Sequence, residues 1–147
     1  MAARTLAGAE EVALGLCTIG PELENLSEQL FRQDPVRAMA LTGAGIAALR
    51  LTSEALLAEI RKTAAGKGLG SGMIAQPGQE GWAIEQQQVI FDRLPAEKIG
   101  VRLTGSLLMI PKKSISSVVG MGPDMKQDSI ACDFCSKKNH CPWRIEE

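Results

Sequence analysis

The sequence predicts an α+β fold, with helices packed against a mainly antiparallel, twisted sheet. Three observations lead there. The run Ile99 to Gly122, IGVRLTGSLLMIPKKSISSVVGMG, carries two β-prone segments on either side of Pro111. The order along the chain is strand, helix, helix, strand, helix and then this run, and helices segregated against a mainly antiparallel sheet make α+β the natural class. With 147 residues, 45% of them hydrophobic and 22% charged, the chain is one domain's worth and can bury a modest core.

Taken in order, the first ten residues carry no periodic pattern and read as a loose, flexible end covering 1–11. Val12, Leu14, Leu16 and Cys17 predict a short buried strand, in which Cys17 reads as a small core residue. Thr18 to Pro21 turns the chain into a helix with Glu22 and Glu24 near its positive N-terminal end. Leu23, Leu26, Leu30 and Phe31 fall on one face of that helix, which predicts inward packing along this stripe. Asp34-Pro35 then caps a second helix, with proline in the first turn, where a missing N–H costs little.

The second helix is expected to run from Pro35 to about Ala65, with Val36, Met39, Leu49, Leu56, Leu57 and Ile60 as its apolar positions. Gly43 and Gly45 either permit close backbone packing or bend it, since each costs roughly 1 kcal/mol against alanine. As a G-x-G they make no nucleotide site, because no strand precedes them. Thr52-Ser53-Glu54 is a candidate break, and Gly66 and Gly68 end the helix. Leu69 to Gln76 reads as a strand, and Gln76-Pro77-Gly78-Gln79-Glu80-Gly81 as a loop before Trp82, a packing lid or a ligand contact. Ile84 to Leu94 completes the helices, and Pro95 stops it.

In the run from Ile99, Val101, Leu103, Leu107 and Met109 form one β-prone segment, and Ile115, Val118 and Val119 the other. Ser114, Ser116 and Ser117 set short hydroxyls beside a hydrophobic backbone. A strand edge so built can line a polar groove while its other face packs on the core; the alternative is a surface hairpin with a solvated Lys112-Lys113 pair. The residues alone leave open whether Ser114 and Ser116 touch a ligand or satisfy backbone groups.

Composition excludes several classes. The net charge is −1 with no basic block, which argues against a nucleic-acid partner, and aromatics at 3% provide no stacking platform for bases. No apolar run approaches the roughly 18 residues that span a bilayer. The N-terminus MAARTLAGAE lacks the apolar core of a signal peptide, so a cytoplasmic location is expected.

After Gly122-Pro123 hydrophobicity drops, and residues 123–147 read as a separate Cys-rich tail. Cys132, Cys135 and Cys141 present C-x2-C-x5-C, three of the chain's 4 cysteines within ten positions. In a cytoplasmic protein such clustering argues for metal or redox chemistry over a structural disulfide. Thiolates suit an Fe–S cluster or, as the alternative, Zn, while free or reversibly oxidised thiols need no metal. A cluster usually takes four thiolates, which Cys17, a second chain or an exogenous ligand would complete; His140 and Cys141, being adjacent, are poorly placed to share one small ion.

Thr104, Ser106, Met109, Pro111, Ser114, Ile115 and Ser116 match the pattern L-T-E-S-x-x-M-x-P-x-x-S-V-S-G. With them go Thr18-Ile19-Gly20-Pro21-Glu22, Gly68-Leu69-Gly70, Pro77-Gly78 and Trp82, all in one order. In this the chain resembles the activation (reactivation) domain of vitamin B12-dependent methionine synthase, in the short free-standing form of anaerobic bacteria. Many of those short forms also end in a Cys-rich tail closing with C-P-x-R, as Cys141-Pro142-Trp143-Arg144 does here. The collinear matches run from about Leu14 to Gly122.

The resemblance implies a C-shaped α+β unit over residues 12–122 that sits above cobalamin bound on a partner, a corrinoid protein or methyltransferase. It implies that Pro77, Gly78, Trp82, Met109, Pro111, Ser114 and Ser116 line a cofactor groove, and that Cys132, Cys135, Cys141 and Cys17 are the metal candidates. The expected role is electron transfer that returns oxidised cobalamin to Co(I), with methyl transfer from S-adenosylmethionine as the family's trapping step. Gly105 stands where the family has Glu, Gln79 replaces a Tyr, and Ile74 sits where an Arg usually precedes the loop. These changes remove a carboxylate, a hydroxylated ring and a guanidinium, so poor binding of S-adenosylmethionine is expected. Ser117 replaces the Gly after S-V-S and would crowd a close approach. The N-terminal helical layer of many relatives is missing, so a partner or a homo-oligomer is expected to cover the exposed apolar surface.

Overall fold

A computed structural model describes residues 5–125, 135–137 and 139–142. Its class is α+β with antiparallel sheets. In chain order the elements are β1 (Glu11–Thr18), α1 (Glu22–Leu30), α2 (Pro35–Gly66), β2 (Gly70–Ala75) and α3 (Gln86–Phe91). A 3-10 turn, Ala96–Ile99, follows, then β3 (Arg102–Leu103), β4 (Met109–Ile110) and β5 (Ser114–Gly122). No described helix is long and apolar enough to cross a membrane.

The main sheet has the order β1-β5-β2, so the last strand is the central one. It pairs antiparallel with β1, from Glu11 opposite Met121 to Thr18 opposite Ser114, and with β2 through a bulge between Ser71 and Ile74. The two β-prone segments flanking Pro111 therefore do not pair with each other. The first closes on itself as the short β3–β4 hairpin, and the second reaches back across most of the chain. The strand expected to offer an edge of hydroxyls is instead flanked on both sides, and Val118, Val119 and Met121 on it belong to the core.

Helix α2 packs on one face of this sheet. Asp34 caps it as expected, accepting the Arg37 N–H at 3.0 Å, with Pro35 in the first turn. The helix runs unbroken through Thr52-Ser53-Glu54, where the Thr52 hydroxyl bonds back to the Ala48 carbonyl at 2.9 Å and leaves the ladder intact. Gly45 is a close-packing glycine: a Cβ there would lie 2.5 Å from the Lys113 stem and 2.9 Å from Leu23. Gly43 faces open space. Val36 and Met39, expected to point inward, are 77% and 70% exposed, and the small residues Ala38, Gly45, Ser53 and Ala64 are the buried ones. A close crossing takes small side chains at its contact and pushes the large ones outward.

The same reason corrects α1. Leu26 and Phe31 are exposed, and Ser27 is its buried residue, donating to the Ala38 carbonyl at 2.9 Å and bonding Thr42 Oγ1 at 2.9 Å across the α1–α2 contact. Helix α3 is shorter than expected, ending at Phe91. From Thr5 the N-terminal segment lies on the sheet: Thr5 is buried, and Gly8 and Ala9 lie against Gly122 and Gly120 of β5.

Candidate functional site

The hydroxyls of β5 are spent inside the protein. Ser114 Oγ bonds the Pro111 carbonyl at 2.7 Å and Thr18 Oγ1 at 2.9 Å, and Thr18 in turn donates to the Lys113 carbonyl at 3.2 Å. These contacts lock the corner where β5 begins against the end of β1. Pro111 itself is buried, in a cis bond after Ile110, and Met109 beside it is half-buried on β4.

Ser116, two positions on, points to the same face of the sheet. It donates to Gln87 Oε1 at 3.1 Å, and Gln87 Nε2 donates to the Leu107 carbonyl at 2.7 Å. Leu107 holds the left-handed conformation (φ 62°) in the β3–β4 turn, one that costs a non-glycine residue of order 1–3 kcal/mol and persists where neighbours fix it. The fixing is visible: Thr104 accepts the Leu107 N–H on its carbonyl at 2.9 Å and the Leu108 N–H on its hydroxyl at 3.0 Å, and that hydroxyl also bonds Ser106 Oγ at 3.0 Å. Thr104, Ser106 and Ser116 thus share one network organised by Gln87. Gln87 is 3% exposed; helical spacing from Ile84 to Phe91 sets Gln87 or Gln88 on the apolar face, but a glutamine in a Gln-Gln-Gln run gives no sequence signal of its partners.

The loop before Trp82 is closed by its own polar groups. Gln76 donates its N–H to Gln79 Oε1 at 3.1 Å, Gly78 to the Trp82 carbonyl at 3.0 Å, and Trp82 to the Gln79 carbonyl at 2.9 Å. Pro77 is buried and Trp82 half-buried; Gly78 has φ +88°, which a glycine adopts freely. The Gln79 side chain therefore serves as a loop staple. This loop also carries Glu80, whose carboxylate accepts the Ser136 N–H at 2.7 Å. That backbone donor, aided by Ser136, Cys135 and Lys137 side chains, holds the Glu80 carboxyl below the ordinary carboxylate range.

The metal candidates separate into two kinds. Cys135 and Cys141 are half-buried free thiols, with Cys135 beside Glu80. Cys132 lies outside the described residues. Cys17 is buried in β1 opposite Ile115, and burial pushes its thiol pKa up, against the thiolate that a metal takes. Among the described residues no three His, Cys, Asp or Glu side chains are grouped for one ion. The tail thiols fit soft-metal ligation by donor type; Cys17 fits the core.

Of the sequence candidates, the structure thus joins Ser116 to the β3–β4 turn through α3, Ser114 to Pro111 through a hydrogen bond, and the Pro77–Gly78 loop to the Cys135 turn through Glu80. Glu80 was missed because an exposed carboxylate in a loop gives no sequence signal of its partner. No protein-family model matches the chain, and no curated protein matches it.

Proposed function

We propose that this chain is an accessory protein for reductive reactivation of a corrinoid-dependent methyltransferase, delivering an electron to Co(II) through an Fe–S centre held by its tail thiols. The observation that carries the reading is the Glu80–Ser136 contact. It ties the Cys135 turn to the Pro77–Gly78 loop, one of the segments that the sequence resemblance assigns to the corrinoid-facing groove. A redox group and its acceptor must come close, and a tail pinned at that loop meets the requirement.

When bound, such a centre supplies one-electron transfer, the electron coming from an external donor. The residues of this chain do the holding. Cys132, Cys135 and Cys141 offer the thiolates, with a fourth ligand from a second chain or a small molecule, since Cys17 is committed to the core. Glu80 anchors the turn, and the Gln76–Trp82 hydrogen bonds keep its loop in one shape. Methyl transfer from S-adenosylmethionine is expected to be weak, because the residues at Ile74, Gln79 and Gly105 lack the charges and the ring that would grip a zwitterion.

Purification without oxygen, followed by iron and sulfide analysis, tests the reading. A brown protein that loses its iron in Cys135→Ser supports it; a colourless, iron-free protein overturns the electron-transfer role. A second reading is favoured by the internal use of Ser114 and Ser116: a non-catalytic module that binds or assembles a corrinoid protein, with structural Zn or no metal. It predicts unchanged partner affinity and unchanged partner reduction in Cys132→Ser, whereas lost reduction with binding intact favours the first.

A further inference from the structure

At one end of the main sheet, four glycines on two neighbouring strands face a single residue. A Cβ at Gly72 of β2 would lie 2.6 Å from Met125 Cε, and one at Gly120 of β5 would lie 3.0 Å from that carbon and 3.1 Å from Met125 Sδ. At Gly122 it would lie 3.3 Å from Met125 Cγ, and at Gly70 it would run into the Met125 carbonyl. The missing side chains thus make a seat that fits Met125 from its backbone to its terminal methyl. The chain turns back to reach it: after β5, Pro123 and Asp124 form a turn closed by the Met125 N–H on the Gly122 carbonyl at 3.2 Å. A Cβ at Gly120 would also lie 3.0 Å from Ala9 Cβ, and one at Gly72 would lie 3.5 Å from the Thr5 carbonyl oxygen, so the N-terminal segment borders Met125 on the same floor.

Met125 is half-buried, so solvent still reaches it. Met73 and Met121 are 6% and 5% exposed and shielded, whereas Met39 is 70% exposed on the outer side of α2. Met125 combines an accessible thioether with a fitted seat.

We propose that Met125 is a modification site, an oxidation-sensitive latch: a hydroperoxide converts its thioether to the sulfoxide, and the sulfoxide leaves the seat. The sulfur lone pair attacks one peroxide oxygen, and the O–O bond breaks as the S–O bond forms. With hydrogen peroxide the other oxygen departs as water; the sulfur loses two electrons and the peroxide gains them. The added oxygen needs room and a hydrogen-bond donor. The seat is already filled by the reduced side chain, and the strand beneath it spends its backbone groups on β1 at one side and β2 at the other. Methionine suits the purpose, because its unbranched thioether fills an irregular seat while reduced and turns polar when oxidised. Once Met125 leaves, its turn onto Gly122 opens and the segment Thr5 to Ala9 loses its neighbour. The step uses neither the tail thiols nor a metal, so it stands or falls apart from the function proposed above.

Treatment of the full chain with hydrogen peroxide tests it, followed by dithiothreitol, which returns disulfides and sulfenic acids to thiols and leaves sulfoxides in place. Peptide mass analysis should find one added oxygen on Met125, as on exposed Met39, well before any on Met73 or Met121. Amide hydrogen exchange at Met125 and Ala9 should then quicken about tenfold or more. Methionine sulfoxide reductase should reverse both changes. Met125→Leu, close in volume, should exchange alike before and after peroxide; it keeps Met39 and every cysteine, so any effect of oxidising those would show in it. A Met125 that resists peroxide as long as Met73 and Met121 do, a Met125 sulfoxide with unchanged exchange, or a Met125→Leu chain that responds as the parent does overturns the proposal.

Discussion

The two ends of β5 solve the same problem in opposite ways. Both are buried, both sit at the centre of the sheet, and neither carries a large apolar side chain on the face turned to α3. At the Ser114–Ser116 end, polar side chains are admitted and each is bonded to another element. At the Gly120–Gly122 end there is no side chain at all, and Ala9, the Gly8 backbone and Met125 come down onto the bare strand. The first end is specified by direction, since a hydrogen bond fails when its angle is lost; the second by the absence of volume.

The difference can be tested by breaking each end in its own currency. Gly122→Val is expected to have the largest effect. Its new Cβ would meet the Gly8 carbonyl, which is backbone and cannot rotate away, so the N-terminal segment must lift. Overpacking of this kind costs about 1–3 kcal/mol, and the displaced segment adds to it; urea unfolding should show both the loss and new protease sensitivity near Thr5. Ser116→Ala comes next. It leaves the buried Gln87 carbonyl oxygen without its donor, which costs about 1–3 kcal/mol, and it frees Gln87, so that Leu107 should relax and amide exchange at Leu107 and Leu108 should quicken.

Ser117→Ala is the smallest and has the opposite sign. The Ser117 hydroxyl is buried without a hydrogen-bond partner among the described residues, on the α2 face beside Gly15, where a Cβ would lie 2.6 Å from it. Removing an unpaired buried hydroxyl removes a desolvation cost, so thermal unfolding should be unchanged or shifted up, by an amount worth at most about 1 kcal/mol. A clear fall in stability would mean that the hydroxyl has a role beyond filling the space left by Gly15.

What could be read from the sequence divides along the same line as these mutations. Features that depend on neighbours in the chain were legible: the Asp34–Pro35 start of α2, its end at Gly66 with Gly68 at φ +73°, and the strand character of Glu11–Thr18 and Ser114–Gly122. Features that depend on distant partners were not. The central place of β5 rests on a partner about a hundred residues away, and no local pattern separates a central from an edge strand when both read as β-prone. The outward Val36 and Met39 were misread because periodicity finds the apolar stripe of a helix, whereas the α1–α2 crossing selects small residues such as Ser27 and Ala38. Of the site, the serine run was visible and its bonding was not, because Gln87 and Glu80 are ordinary polar residues until the fold gives them partners.

The length of α2 carries a further consequence. Its 32 residues make a rod of about 48 Å. The sheet meets it from Thr63, beside Ala13 and Met121, to Gly45, beside Lys113, which is a little over half of that length. The turns before Gly45 extend past that stretch and pack on α1, where Ser27 bonds the Ala38 carbonyl and Thr42. Val36 and Met39, on the outer side of that extension, are 77% and 70% exposed, so charged replacements there should be tolerated by the monomer. Evolution is therefore at liberty to shape that protruding arm for whatever it meets outside.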